Sequence, residues 1–351
     1  MMRRLSQFAL VGWLCLSGLL AACAGSDGDS AEKPTIRLGY FPNLTHAAAV
    51  YGVGANLFQQ ALGDRATLDI KTFNAGPSLI EALFAGEIDL GYIGPNPAIN
   101  GYVRSNGEAL RIIAGATSGG ALFVVRPEAN IQGPADLAGK KLATPQLGNT
   151  QDVALRMYLR QNGLDTVDKG GAVEIVPTQN SDILNLFQQG QIDGAWVPEP
   201  WGTRLIQEAN GQVLVDERAL WPEGQFVTTH IIGRTEFLSA HPDWVKILLQ
   251  AHVAAVQAIQ ADPAAALGVI NQEIERITGS RLPDQVLTEA FKNLTITYDP
   301  VASSLFVSAE HAFDLGFLGD TAPDLSGIYD LAPLNAVLAE KGLPAITLPT
   351  P

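Results

Sequence analysis

Residues 148–152, Gly-Asn-Thr-Gln-Asp, stand directly before an apolar helical pattern and include no positive charge, yet they can hold an anion. Two readings compete. Asn149 or Thr150 can cap the helix, satisfying backbone N–H groups that have no carbonyl behind them, with Asp152 suited to the first turn. The same N–H groups, at the positive end of the helix dipole, can instead be offered to an oxyanion. Thr45 and His46, at the start of an Ala-rich helical pattern, invite the same pair of readings. Glu199 lies between two prolines, so its backbone is stiff. A turn glutamate is ordinarily solvated. At a strand's cleft edge it would repel a bare anion but suit a ligand carrying an ammonium or N–H beside an anionic head. Trp201 either packs or walls a cleft, while Tyr40, Phe41, Tyr92 and Trp196 read as core. His46, His230 and Glu199 have zinc-ligand chemistry, but no His-rich stretch supports a metal, so neither metal nor cofactor is expected. His241, His252 and His311 fall in helical patterns. Without a Ser-His-Asp order, a phosphate-binding Gly loop or a paired-carboxylate motif, no catalysis is expected.

The elements that carry these residues are written twice. GEIDLGYIGPNP at 86–97 and GQIDGAWVPEP at 190–200 are nearly the same sentence, 104 positions apart. Each follows a helical pattern (79–84 and 183–187) ending at Gly, then gives Ile-Asp, a short apolar run and Pro-x-Pro. This reads as helix, strand, and rigid loop at the strand's end. Upstream, strands at 36–40 and 141–144 each lead through a Pro-containing loop into a helix. Alternating strands and helices predict α/β lobes with mostly parallel sheets, and ligands bind such sheets at the carboxyl ends of the strands. The loops after Tyr40, Ile93, Thr144 and Val197 are expected to converge on one cleft. Residues 121–125 and 226–233 read as the connections between lobes. The remainder, from about 241, reads as helices on the first lobe.

Bulk properties indicate a globular chain. The chain has 351 residues, room for two domains, with 47% hydrophobic and 17% charged residues. A net charge of -14 argues against nucleic acid and leaves an anionic ligand to local dipoles and hydrogen bonds. Arg3 and Arg4, an apolar stretch over 5–20, and a Gly/Ser/Asp-rich tether over 24–33 read as an export signal, too short for a comfortable membrane span. Leu20-Ala21-Ala22-Cys23 resembles the lipobox of bacterial lipoproteins. That resemblance implies cleavage before Cys23 and lipid on its sulfur, so that neither a free thiol nor a disulfide remains.

The stretches LGYFPNLTHA, LFAGEIDLGYIG, DLAGKKLATPQLGNTQDVALR, GQIDGAWVPEPW and FLSAHPDWVKILLQAH resemble the periplasmic substrate-binding proteins of ABC importers. The closer likeness is to the branch serving aliphatic sulfonates, taurine, nitrate, bicarbonate and thiamine-precursor pyrimidines, over about 35–348. It implies a type II periplasmic-binding-protein fold, two α/β lobes joined by a two-strand hinge. The expected organisation is a signal peptide over 1–22, lipidated Cys23 and tether over 23–33, lobe I over 34–124 and 231–351, and lobe II over 125–230. Carried onto this chain, the resemblance offers as ligand contacts Asn43, Thr45 and His46, Pro95 and Asn96, and Ser118, Gly119 and Gly120. It adds Gly148, Asn149, Thr150 and Gln151, Glu199 and Trp201, and Thr228, Thr229 and His230. It favours the anion-binding reading of 148–152. The implied function is an exported, membrane-anchored monomeric receptor, in the periplasm or on the outer face of the cytoplasmic membrane. It would deliver an organic sulfonate to an ABC permease and its ATPase. A neutral heteroaromatic (pyrimidine or riboflavin-like) or nitrate or bicarbonate is the alternative solute. An enzyme is the distant one, since the related pyrimidine synthases need a Cys-rich motif that is missing here.

Overall fold

Strands β1 (Thr35–Tyr40), β2 (Thr67–Thr72), β3 (Leu90–Ile93) and β4 (Leu110–Gly119) come first. They are followed by β5 (Ala121–Val125), β6 (Lys141–Thr144), β7 (Glu174–Pro177), β8 (Gly194–Pro198) and β9 (Gln212–Asp216), then β10 (Val227–Arg234) and β11 (Leu294–Ile296). They form two sheets, ordered β11-β4-β10-β3-β1-β2 and β7-β6-β8-β5-β9. Each sheet holds three parallel strands, β3-β1-β2 and β8-β6-β7, with an antiparallel neighbour, β10 against β3 and β5 against β8. The repeated sentence is therefore a repeated topology. This computed structural model describes residues 33–349, and from Pro34 onward the chain forms one compact unit. The expected signal peptide and Cys23 lie outside the described residues.

Helices α1 (Ala47–Gly54), α2 (Leu57–Leu62), α3 (Gly76–Phe84) and α4 (Pro95–Arg104) serve the first sheet, and α5 (Thr150–Gln161), α6 (Asn180–Gln188) and α7 (Trp201–Ala209) the second. The rest of the chain is α8 (Thr235–Ala240), α9 (Pro242–Ala261), α10 (Pro263–Thr278), α11 (Asp284–Phe291), α12 (Ala302–Asp314) and α13 (Ala332–Glu340). α9 and α10 pack on α1, closing one core around Tyr40, Val50 and Val256. α11 touches α7, and α12 touches both α4 and α5, so this cladding reaches the second lobe as well. Among the described residues no helix is long and apolar enough to cross a membrane.

The crossings between sheets differ from the sequence expectation. β5 pairs with β8 and β9, and β10 with β3 and β4. The chain thus changes sheets at Gly119–Gly120 and again before Val227, not at 124/125 and 230/231. Both crossing strands are buried almost throughout, so no polar face marks which sheet they join. Gly119 and Gly120 have φ of 77 and 79, a left-handed pair that side chains rarely adopt.

The repeated Ile-Asp has one structural meaning. Asp89 is 2% exposed, and its carboxylate accepts from Arg37 N at 2.9 Å, Arg37 Nε at 3.0 Å, Arg37 Nη2 at 2.8 Å and Arg234 Nη2 at 3.0 Å. It fastens the starts of β1 and β3 to the end of β10. Asp193 does the same in the second sheet, accepting from Lys141 N at 2.9 Å and facing Arg126 Nη2 at 3.5 Å. Burial pulls the Asp89 pKa up, but the hydrogen bonds from Arg37 and Arg234 hold it below the usual carboxylate range. Asp89→Ala removes the buried carboxylate that the Arg37 and Arg234 guanidinium groups share and is expected to cost about 3–5 kcal/mol. The Asp193 side chain is 26% exposed and more weakly paired, so Asp193→Ala should cost only about 1 kcal/mol. Urea unfolding of the two variants checks this, and equal losses would contradict it.

Candidate functional site

All six parallel strands end at one cavity. β1 leads to Phe41, Asn43 and the 3-10 turn Leu44–His46, while β2 leads to Asn74 before α3 and β3 to Gly94 before α4. From the other lobe, β6 leads to Pro145 and to Asn149, Thr150 and Gln151 at the start of α5. β7 leads to Asn180 at the start of α6, and β8 ends at Pro198. Thr228 of β10 completes the wall. The atom-free space between these residues of the two lobes is about 320 Å³ and is partly open to solvent. A larger groove of about 1150 Å³ around Phe306, Phe313 and Leu325 lies away from the strand ends, on first-lobe residues alone. Position at the strand ends, not size, selects the smaller cavity.

The cavity is polar without being charged: no Lys, Arg, Asp or Glu lines it. Helices α3, α4, α5 and α6 all start at it, and none of the four is capped by a side chain. The capping reading of 148–152 is not realised. Asn149 Nδ2 instead donates to Gln151 Oε1 at 2.9 Å, leaving the N–H groups of Thr150 and Gln151 without a hydrogen-bond partner among the described residues. Asp152, fully buried, accepts from Thr144 Oγ1, Gly148 N and Arg156 Nε. Thr150 is 6% exposed and its Oγ1 has no partner; Asn180 Oδ1 is likewise unpartnered. His46 Nδ1 accepts from Phe41 N–H at 3.4 Å, which leaves the proton on Nε2 as a donor. Burial lowers the His46 pKa to about 3, so the ring is neutral at pH 7.

Of the residues expected from sequence, Asn43, Thr45, His46, Asn149, Thr150, Gln151 and Thr228 line this cavity. The others do not. Pro95 opens α4, and Asn96 Nδ2 donates to Ser308 O at 3.2 Å, so the first Pro-x-Pro is a helix start and not a loop. Ser118 Oγ accepts from Phe226 N, Gly119 and Gly120 form the crossover, and Gly148 faces Phe317. Thr229 pairs with Thr117 inside the first sheet, and His230 Nε2 bonds Pro300 O at 3.0 Å. Trp201 Nε1 donates to Asn43 Oδ1 at 2.9 Å, so it positions a cavity residue from behind.

Glu199 needs a plain correction. It is 0% exposed and its carboxylate accepts from Thr203 N at 3.0 Å, Thr203 Oγ1 at 2.9 Å and Asn293 Nδ2 at 2.7 Å. Its carbonyl accepts from Leu44 N at 3.1 Å. Desolvation raises its pKa, partly offset by those donors. Glu199 stitches the two lobes beside the crossover and does not face a ligand's ammonium. His46, His230 and Glu199 go to three separate partners, and among the described residues no cluster of metal-ligating side chains exists.

Sequence reading missed Phe41, Asn74, Gly94, Pro145, Asn180 and Pro198. Asn74 and Asn180 follow the second parallel strand of each lobe, β2 and β7, in FNAGPS and TQNSD, and an Asn between strand and helix was the available signal. Gly94 lets the lobes meet. A Cβ there would lie 2.3 Å from Thr150 Oγ1 and 3.5 Å from Thr228 O. Its φ of -72 suits any residue, so Gly94→Ala should fold with stability within about 1 kcal/mol of the parent yet hold the lobes apart. Small-angle scattering should then give a larger radius of gyration, and an unchanged radius would contradict the contact. Glu199→Gln turns a second set of donors toward Thr203 or Asn293 and should lower stability by about 1–3 kcal/mol in urea unfolding.

The taurine-binding periplasmic protein of Escherichia coli is 30% identical over 208 residues, 59% of this chain and 62% of that protein. The match thus spans less than two thirds of that relative's length. Among solved structures, the alkanesulfonate-binding protein SsuA of Xanthomonas axonopodis pv. citri, bound to MOPS, superposes with a TM-score of 0.70 at 19% identity. It covers 85% of this chain and 99% of that one. The nitrate-binding protein NrtA of Synechocystis superposes with a TM-score of 0.70 at 14% identity, covering 89% and 90%. These likenesses show the fold, the two-lobed periplasmic-binding-protein architecture that the sequence resemblance implied. The NMT1-like family pattern matches residues 29–271, and the chain belongs to that family.

Proposed function

We propose that this chain is the solute-binding receptor of an ABC importer, capturing a small organic sulfonate between its lobes and handing it to the permease. The observation that carries the reading is the convergence of uncapped helix starts on a cavity where Thr150 Oγ1 has no partner. Backbone N–H groups, hydroxyls, amides and a neutral imidazole donate to oxyanion oxygens without needing a cation. Asn43, Thr45, His46, Asn149, Thr150, Gln151 and Thr228 are the proposed ligand contacts, joined by Asn74 and Asn180. A taurine-binding relative and a sulfonate-binding structural neighbour support the solute class. Binding to an open form followed by closure of the lobes fits a cavity whose lining comes from both lobes. The receptor is proposed to act as a monomer tethered by lipid on Cys23. A small inorganic oxyanion such as nitrate is the second reading, favoured by the cavity's small volume.

A thermal-shift panel of ethanesulfonate, nitrate, bicarbonate and a pyrimidine, each near 1 mM, tests this. A micromolar ligand at that excess adds roughly 4 kcal/mol and should raise Tm by several degrees. The expected result is a rise with the sulfonate, reduced at least about tenfold in affinity by Thr150→Val, the worth of one hydrogen bond to a charged group. Because His46 donates while neutral, sulfonate affinity should stay flat from pH 8 to pH 5. A requirement for protonated His46 would instead make affinity rise as pH falls below about 6.5. A rise with the pyrimidine alone would overturn the sulfonate reading.

A further inference from the structure

We infer that the cavity selects sulfonates with an uncharged tail and discriminates against an ω-ammonium group, so that taurine is a poor ligand for this receptor. The inference rests on the sulfonate reading above and goes against the naming of its taurine-binding relative. It comes from where the carboxylates are. Two stand on elements that build the cavity, Glu199 directly after Pro198 and Asp152 directly after Gln151. Both are 0% exposed, and each already accepts from three protein donors. Neither has an oxygen that a ligand can reach. The lining offers amides, hydroxyls and one neutral imidazole, with no counter-charge.

A sulfonate and an ammonium two carbons apart must both lie within this small cavity, between the same helix starts. The sulfonate meets the positive ends of the helices. The ammonium meets those same ends, stripped of water and without an anion of the protein beside it. Replacing the ammonium by a hydroxyl removes that penalty at nearly constant shape; the unpartnered Asn180 Oδ1 can accept from either group, so the charge alone separates the two ligands.

Isethionate and taurine differ by that one group, so calorimetric titration of the purified full-length protein with ethanesulfonate, isethionate and taurine at pH 7 is the test. The expected result is binding of the first two with taurine at least about 30-fold weaker than isethionate. Asn180→Asp, which puts a carboxylate on the cavity wall, should narrow that gap at least about tenfold. Taurine binding within threefold of isethionate would overturn the inference while leaving the sulfonate reading intact. A gap unaltered by Asn180→Asp would overturn the electrostatic cause. Binding of none of the three would overturn the sulfonate reading and this inference with it.

Discussion

A backbone N–H in the first turn of a helix has no carbonyl behind it, and this fold brings several such turns to one small cavity. That constraint follows from topology. Parallel strands all point one way, each runs into a helix, and two lobes of the same build turn their strand ends toward each other. Side chains do not relieve it at α5, where Asn149 bonds Gln151 and leaves Thr150 N–H and Oγ1 unmet. A buried site with surplus donors and no cation has a favourable potential for an anion in a chain whose net charge is -14. The positive field is local, made of peptide dipoles.

Closure is divided between two sides of the cleft. Beside the crossover, Glu199, Asn293 and Arg218 form a chain of hydrogen bonds between lobes, with Trp201 on Asn43 and Leu44 on the Glu199 carbonyl. Away from the crossover, among the described residues, stand Asn74 to Gln179 at 3.2 Å, Ser78 to Gln146 at 3.5 Å and Arg160 to Asp314 O at 2.5 Å, all exposed. Such rim contacts contribute about 1 kcal/mol each at most, too little to hold the lobes shut alone. Under the proposed function, a ligand bonding Thr150 from one lobe and Thr45 or His46 from the other would supply the difference and shift the population toward the closed form.

Much of the architecture was legible in the sequence because the two lobes repeat one pattern. The Ile-Asp pairs, the glycines closing the helices and the apolar runs of β3 and β8 all fell where read, and Asp89 and Asp193 fasten equivalent strand starts. What misled was residue type without partner. Pro-x-Pro at 95–97 and 198–200 looks alike, but proline is as much at home in the first turn of a helix as in a loop, and only the second is a loop. Glu199 looked like a ligand contact because its partner Asn293 is supplied from a distant part of the chain, beyond any local pattern. The sheet membership of β5 and β10 was illegible because both are buried on both faces.

The most direct test of the account is a crystal structure of the protein grown with ethanesulfonate. The expected result is sulfonate oxygens within hydrogen-bond distance of Thr150 Oγ1 and His46 Nε2, with no lysine or arginine in contact. Sulfonate held elsewhere, such as in the groove beside Phe306 and Phe313, or paired with an arginine, would contradict it.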